Sequence, residues 1–155
     1  MIDRHHVVVI GGGAGGLELA TRLGDRLGRR RRAVVTLVDR NETHVWKPLL
    51  HEVAAGSMDI HAHQLDYLAQ ARWHYFNFSC GALEGLDRGR REIAVAPTVD
   101  ESGSEVIPRR TLRYDTLVIA IGSVANTFGV PGVEGHAYAL ESAAEADLFH
   151  RRLIR

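Results

Sequence analysis

Two kinds of apolar spacing alternate along the chain. Residues 7–10 (VVVI) and Val34, Val35, Leu37 and Val38 form nearly continuous apolar runs, as strands covered on both faces require. Between them Leu19, Leu23 and Leu27 recur at every fourth position, with Leu17, Ala20 and Gly24 beside them. That one-sided stripe predicts a helix over residues 17–27 that packs on a sheet. A second helix is predicted over 59–71, with Ile60, Leu65, Leu68 and Ala69 facing the core, and a third strand over 75–79. Shorter alternating stretches follow at 82–86, 91–96 and 106–112, separated by turn residues at 87–89 and 100–103. They predict a three-stranded antiparallel meander, over about residues 82–114, inserted as a crossover. Residues 116–122 (TLVIAIG) read as another buried parallel strand ended by glycine. Residues 40–58 show little period, and an irregular connection of that length is usually functional. Ser142 and Glu145 have the spacing of a capping box. The helix they open runs through Leu148, Phe149 and Leu153 and meets no stop signal before Arg155. The expectation is that the chain is a piece of a longer protein.

Chemistry enters at the first strand–helix junction. Gly11, Gly13 and Gly16 fill the G-x-G-x-x-G pattern, with a strand before, a helix after, and a second strand ending in Asp39. In a dinucleotide site of this kind the first glycine allows the sharp turn and the second lets backbone N–H groups approach a pyrophosphate. The third lets the helix pack close to the sheet. The pyrophosphate lies against the helix N-terminus, where unpaired N–H groups and the helix dipole favour negative charge. Asp39 would accept hydrogen bonds from ribose hydroxyls. It lies farther from the glycines than the usual spacing of about 20 residues, and the excess falls in the basic loop of Gly28 and Arg29–Arg32. A glycine-rich turn with no ligand is the alternative, but every contextual element of the fingerprint is present.

Length and charge narrow the classes. With 155 residues the chain is long enough for one domain with a core. Lys plus Arg balances Asp plus Glu at 19 each, so no general electrostatic attraction to nucleic acid arises, and residues 29–32 read as a solvated loop. The single cysteine, Cys80, excludes an intrachain disulfide and suits a reducing compartment. No apolar run approaches the ~18 residues that span a bilayer, and no secretory signal precedes the first strand.

Four stretches together resemble bacterial type II NADH dehydrogenases, the single-subunit, non-proton-pumping NADH:quinone oxidoreductases of the two-dinucleotide-domain flavoprotein superfamily. They are VVVIGGGAGGLELA (7–20), VDRN (38–41), HVWKPLLHEVAAGS (44–57) and YDTLVIAIGS (114–123). The third is far more specific than the glycine pattern. The resemblance implies an α/β, Rossmann-like, three-layer FAD-binding domain with a parallel sheet and an inserted three-stranded antiparallel meander, incomplete at the C-terminus. It implies that Gly11, Gly13, Ala14, Gly15 and Gly16 meet the FAD pyrophosphate, that Asp39 takes the adenosine ribose and that Arg40 lies near the adenine. The chain at Gly81 and Ala82 resembles the segment whose backbone meets the adenine ring. Ala120, Ile121 and Gly122 resemble the Ala-Thr-Gly strand end beside the cofactor, with isoleucine in place of threonine. Lys47 and Pro48 lie in what resembles the flavin-edge loop, so Lys47 would act as a catalytic cation where reduction of the ring creates negative charge. The implied reaction passes a hydride from NADH to FAD and two electrons on to a membrane quinone. An NADH domain and a membrane-docking region are expected outside residues 1–155, placing the full-length protein at the cytoplasmic face of the membrane. A homodimer is left open. Disulfide-reducing and sulfide-oxidising relatives need cysteines beyond Cys80.

Plainer readings stand beside these. Lys47 is an ordinary surface lysine unless the resemblance holds. His44 and His51 read as structural polar contacts. His61 and His63, two apart, point away from each other on a helix and make no metal site. Glu18 is either part-buried or a solvated face charge. Trp73, Tyr75, Phe76 and Phe78 read as core and strand residues, without the basic frame of a nucleic-acid surface. A non-catalytic nucleotide-binding module and a simple NAD-binding Rossmann protein are the competing functions. The second leaves residues 46–52 without a role.

Overall fold

The computed structural model describes residues 4–100 and 102–155, the side chain of His61 excepted. Glu101, in the expected 100–103 turn, and the side chain of His61, one of the histidine pair, lie outside the described residues. The chain divides into two compact units. One holds the residues up to His44 and from Asp66 to Gly122; the other holds 45–65 and 123–155.

The first unit is built on parallel strands. Strand β1 (His5–Ile10) pairs on one side with β2 (Ala33–Asp39), which pairs with β5 (Asn77–Cys80); on its other side β1 pairs with β11 (Thr116–Ile119). Two-residue extended pieces, β3 (Thr43–His44) and β4 (Leu65–Asp66), lie between β2 and β5 in sequence. Alternation along the strands sends side chains to two different layers. Val7, Val9, Val35 and Leu37 pack with Leu17 and Ala20 of α1 (Ala14–Leu23) and Tyr67 and Ala71 of α3 (Tyr67–Trp73). Val8, Ile10 and Val38 pack on the other face with Ile93 and Val95. Those two belong to an antiparallel sheet of β6 (Leu83–Asp87), β7 (Glu92–Val95) and β10 (Arg110–Arg113). The three layers are therefore helices, parallel sheet and antiparallel sheet.

The structure moves several expected boundaries. The meander's third strand is Arg110–Arg113, starting beyond the predicted 106. Pro108 has no N–H for a ladder, and Glu105–Ile107 (β9) pairs instead with Thr98–Val99 (β8) as a separate hairpin. The predicted 59–71 helix is two pieces, a 3-10 turn at Ile60–Ala62 and α3. Asp66 Oδ1 accepts from Ala69 N at 2.7 Å, so the carboxylate starts the helix there. That phase buries Tyr67 and Ala71, while Leu68 is 64 % exposed and Leu65 is exposed too. Tyr75 takes a left-handed φ of 57°, so the third strand begins only at Asn77. Trp73 and Tyr75 are exposed; Phe76 alone of the four aromatics is fully buried. The run 116–122 forms a strand only to Ile119, and β11 is a half-exposed sheet edge, unlike the expected buried strand. Helix α1 ends in a π-helical turn, Gly24–Gly28, tight against the chain entering β5. The Arg29–Arg32 loop is solvated as expected, and Glu18 pairs with Arg22 at 2.6 Å on an exposed face.

The second unit packs α2 (Leu50–Ala55) against α5 (Ala143–Leu153), with a short α4 (Val133–His136) between them in sequence. Leu50, Val53 and Ala54 meet Ala146, Leu140 and Phe149. The 40–58 connection is thus partly helical: its i, i+3, i+4 apolar positions and the left-handed Gly56 stop were present in the sequence but too short to stand out. Ser142 caps α5 as expected, its Oγ accepting from Glu145 N at 3.3 Å, while Glu145 Oε2 accepts from Glu141 N, one residue before the cap, at 2.9 Å. The helix closes at Leu153, with Ile154 N donating to His150 O.

A methyl group at Gly24 would lie 1.9 Å from the His74 carbonyl oxygen, whereas one at Gly15 meets nothing within 4 Å. Gly24→Ala should therefore cost about 1–3 kcal/mol, and Gly15→Ala should be neutral or stabilise by up to about 1 kcal/mol. Urea-unfolding midpoints of the two variants check this.

Candidate functional site

The turn joining β1 to α1 is held at every peptide. Gly11 has a φ of 98°, and its N–H donates to Val38 O at 2.8 Å. A side chain on Gly11 would meet Ala120 O at 2.4 Å, and one on Gly16 would meet Gly11 O at 1.8 Å. Ala120 itself is tied down by its N–H to Ile10 O at 2.7 Å. The helix start, the turn and the end of β11 are therefore packed backbone on backbone, which only residues without a Cβ permit. Gly13 and Gly15 differ: both are exposed, and a Cβ on either would meet nothing within 4 Å. The space around them is open to a ligand.

The first helical bond of α1 runs from Leu17 N to Gly13 O at 2.9 Å. No side chain caps this N-terminus, and no acidic residue stands in the first turn. The N–H groups of Ala14, Gly15 and Gly16 precede that first bond, so they have no intrahelical acceptor. They form an anion-directed end on a ten-residue helix.

Asp39, at the end of β2, accepts from Gly12 N at 2.6 Å through Oδ2 and from Asn41 N at 2.8 Å through Oδ1. An ionised carboxylate offers about four acceptor positions, so two backbone bonds leave capacity for ribose hydroxyls. Tyr67 is a site residue that the sequence reading missed. Its hydroxyl donates to Gly12 O at 2.6 Å. The sequence signal is slight: a tyrosine one residue after an N-cap aspartate, in a stretch whose apolar residues fit more than one helical phase. Its ring lies 5.1 Å from Phe78 and 6.4 Å from His44, centroid to centroid. Burial, and then the Asp39 charge, pushes the Tyr67 phenol well above its ordinary range, so it stays a donor. Burial lowers the His44 pKa, against a smaller opposing effect of Asp39.

The other expected site residues take varied places. Arg40 and Ala82 are exposed at the ends of β2 and β5; Ala82 O accepts from Ala96 N at 2.9 Å. Arg110 was not anticipated. Its guanidinium donates to Ser79 Oγ and to the Cys80 carbonyl, fastening the β5 end ahead of Gly81. Gly122 has a φ of 72° and open space around it. Lys47 and Pro48 belong to the second unit, in an exposed 3-10 turn, Lys47–Leu49. There the Lys47 ammonium donates to Glu141 Oε2 at 2.5 Å and to Ser123 O at 3.1 Å. Glu141 Oε1 also accepts from Ala125 N at 2.8 Å, and the bond from Lys47 holds the Glu141 carboxyl below the usual carboxylate range. No residue pattern around Lys47 points to this acidic partner, 94 positions away. His51 lies 3.9 Å from Glu52 on the surface, in keeping with a plain polar contact.

Comparison with known proteins places this arrangement. Residues 5–155 match the family model described as pyridine nucleotide-disulphide oxidoreductase. The chain is 46 % identical, over 96 % of its length, to a type II NADH:quinone oxidoreductase of Haemophilus influenzae, of which it covers 34 %. It is 26 % identical over 97 % of its length to that of Staphylococcus aureus, again covering 34 %. It spans about a third of the length of these curated relatives. Among solved structures the fold is similar to Plasmodium falciparum NDH2, with a TM-score of 0.77 at 20 % identity, covering 96 % of this chain and 28 % of that one.

The lowered pKa values of His44 and of His6, whose first cause is also burial, carry a pH signature. Between those depressed values and the unfolded value of 6.5 the unfolded chain binds more protons. Their contribution is complete above pH 6.5 and is lost as pH falls through the folded values. Urea midpoints should therefore drop between about pH 7.5 and pH 5.5, and His44→Gln should flatten that dependence.

Proposed function

The chain belongs to the pyridine nucleotide-disulphide oxidoreductase family, and on that footing we propose that its first unit holds FAD for an NADH:quinone oxidoreductase. The carrying observation is the N-terminus of α1, which no side chain caps, with open space at Gly13 and Gly15. The residues suit a flavin dinucleotide. Gly13, Ala14, Gly15 and Gly16 offer N–H groups to the pyrophosphate, and Gly11 with Ala120 keeps them in line. Asp39 accepts from the adenosine ribose. Arg40 and Ala82, at neighbouring strand ends, border the adenine, and Gly122 leaves the chain free to pass beside the cofactor. Bound FAD supplies the redox chemistry: it takes a hydride and gives up electrons.

What the protein adds is placement and charge. The uncapped helix end offsets the pyrophosphate charge without ordering any side chain on binding. Asp39 fixes the turn and takes the ribose with the same carboxylate, so the turn is organised before the ligand arrives. Lys47, with Pro48, is assigned to the flavin edge on the resemblance of its loop. Glu141 holds that ammonium in one orientation and offsets its charge, so Lys47 would act as one half of an ion pair. NADH and a quinone are the substrates named for the relatives, and we assign them to the whole protein. It would work at the cytoplasmic face of the membrane, with its NADH-binding and membrane-docking parts outside these residues.

Purified chain mixed with FAD should retain, through gel filtration, a yellow species absorbing near about 450 nm, the flavin's own band. Excess NAD should not displace it. Gly13→Val, whose Cβ would meet no protein atom within 4 Å, should cost no more stability than a lost N-cap does, about 1 kcal/mol by thermal unfolding. It should weaken FAD binding about 100-fold, the equivalent of two charge-assisted hydrogen bonds. A chain that stays colourless, or that binds NAD in preference, would refute the flavin assignment.

A further inference from the structure

We propose that Tyr67 is a positioning residue for the dinucleotide's pyrophosphate: its hydroxyl sets the direction of the Gly12–Gly13 peptide and thereby aims the Gly13 N–H at the ligand. This deepens the dinucleotide reading above and rests on it. The argument begins with the peptide itself. In a trans peptide the carbonyl and the N–H of the next residue point in opposite directions. The Gly12 carbonyl is turned inward to accept from Tyr67 at 2.6 Å. The Gly13 N–H on the other edge of that plane must then point away from Tyr67. Its residue is exposed, with nothing within 4 Å of where a side chain would be.

The preceding peptide is fixed from its other side. Asp39 Oδ2 takes the Gly12 N–H at 2.6 Å, so the anion-directed donors begin at Gly13. Gly12 is thus gripped by an acceptor on its N–H and a donor on its carbonyl. The grip has no slack. A Cβ on Gly12 would lie 2.3 Å from the Tyr67 hydroxyl oxygen and 2.4 Å from its ring. Tyr67 is itself packed on all sides: 2 % exposed, first in α3 behind the Asp66 cap, with its own N–H donating to Glu42 O at 3.0 Å. The raised phenol pKa keeps the donor proton in place. A donor on a carbonyl also polarises its amide and strengthens the N–H on the opposite edge. One buried hydroxyl therefore both orients the first phosphate-directed donor and makes it a better one.

Tyr67→Phe removes that hydroxyl and keeps the ring. It should bind FAD about 5- to 20-fold more weakly than wild type, the range for one lost hydrogen bond acting through a peptide. Adenosine diphosphate, which carries the pyrophosphate, should weaken by a similar factor, and adenosine, which lacks it, should bind both proteins alike. Equal weakening of the two, or FAD affinity within about twofold of wild type, overturns the proposal. If wild type takes up no FAD, the flavin reading fails, while the contrast between diphosphate and nucleoside still judges Tyr67. Should the variant not fold, wild-type NMR decides. The Gly13 amide proton should move downfield on adding adenosine diphosphate, and a stationary one rejects the idea.

Discussion

The contact on which the first unit depends is the meeting of three stretches of bare backbone. Gly11 turns the chain against the Ala120 carbonyl, and Gly16 brings α1 down onto Gly11 itself. At neither place is there room for one carbon atom. This closeness sets the height of α1 over the sheet, and hence where its unpaired N–H groups lie. Asp39 and Tyr67 then fasten Gly12, the next residue of the turn, by its N–H and its carbonyl. The proposed site for a doubly charged pyrophosphate thus draws on the uncapped backbone N–H groups of α1. The field comes from oriented peptides, whose positions follow from sterics.

Much of this was legible in the sequence because the constraints are local. Glycines at 11, 13 and 16 between two apolar runs specify a turn whatever surrounds it, and the alternation of Val7 to Ile10 gives two covered faces. The pairing of Ser142 with Glu145 is a local rule: the serine caps the helix as expected, while the Glu145 carboxylate reaches the Glu141 N–H. The errors arose where a residue's partner is far away in sequence. Nothing near Tyr67 indicates Gly12, 55 positions earlier, and nothing near Lys47 indicates Glu141. Helix phase failed for a related reason. The 59–71 stretch offers apolar residues on more than one side, and Asp66, by capping Ala69, selected the face with Tyr67 over the one with Leu68.

The Lys47–Glu141 pair changes what a surface lysine means. Its ammonium joins the 3-10 turn to Ser123, and its carboxylate partner reaches Ala125, so three segments of the second unit meet at one exposed ion pair. Exposed pairs contribute little to stability, since water competes for both ions. The geometry here serves direction instead: a flexible side chain is given one preferred place.

The strand order has a temporal consequence. β1 lies in the middle of the parallel sheet, between β2, which follows almost at once, and β11, whose neighbouring Asp115 binds the His6 N–H across 109 residues. As the chain leaves a ribosome, its first strand gains one neighbour early and waits for the other until Thr116–Ile119 has been made. During that interval VVVI has an open edge, and non-local pairing of this kind is slow. The half of the sheet that bears the glycine turn is therefore the last to be sealed.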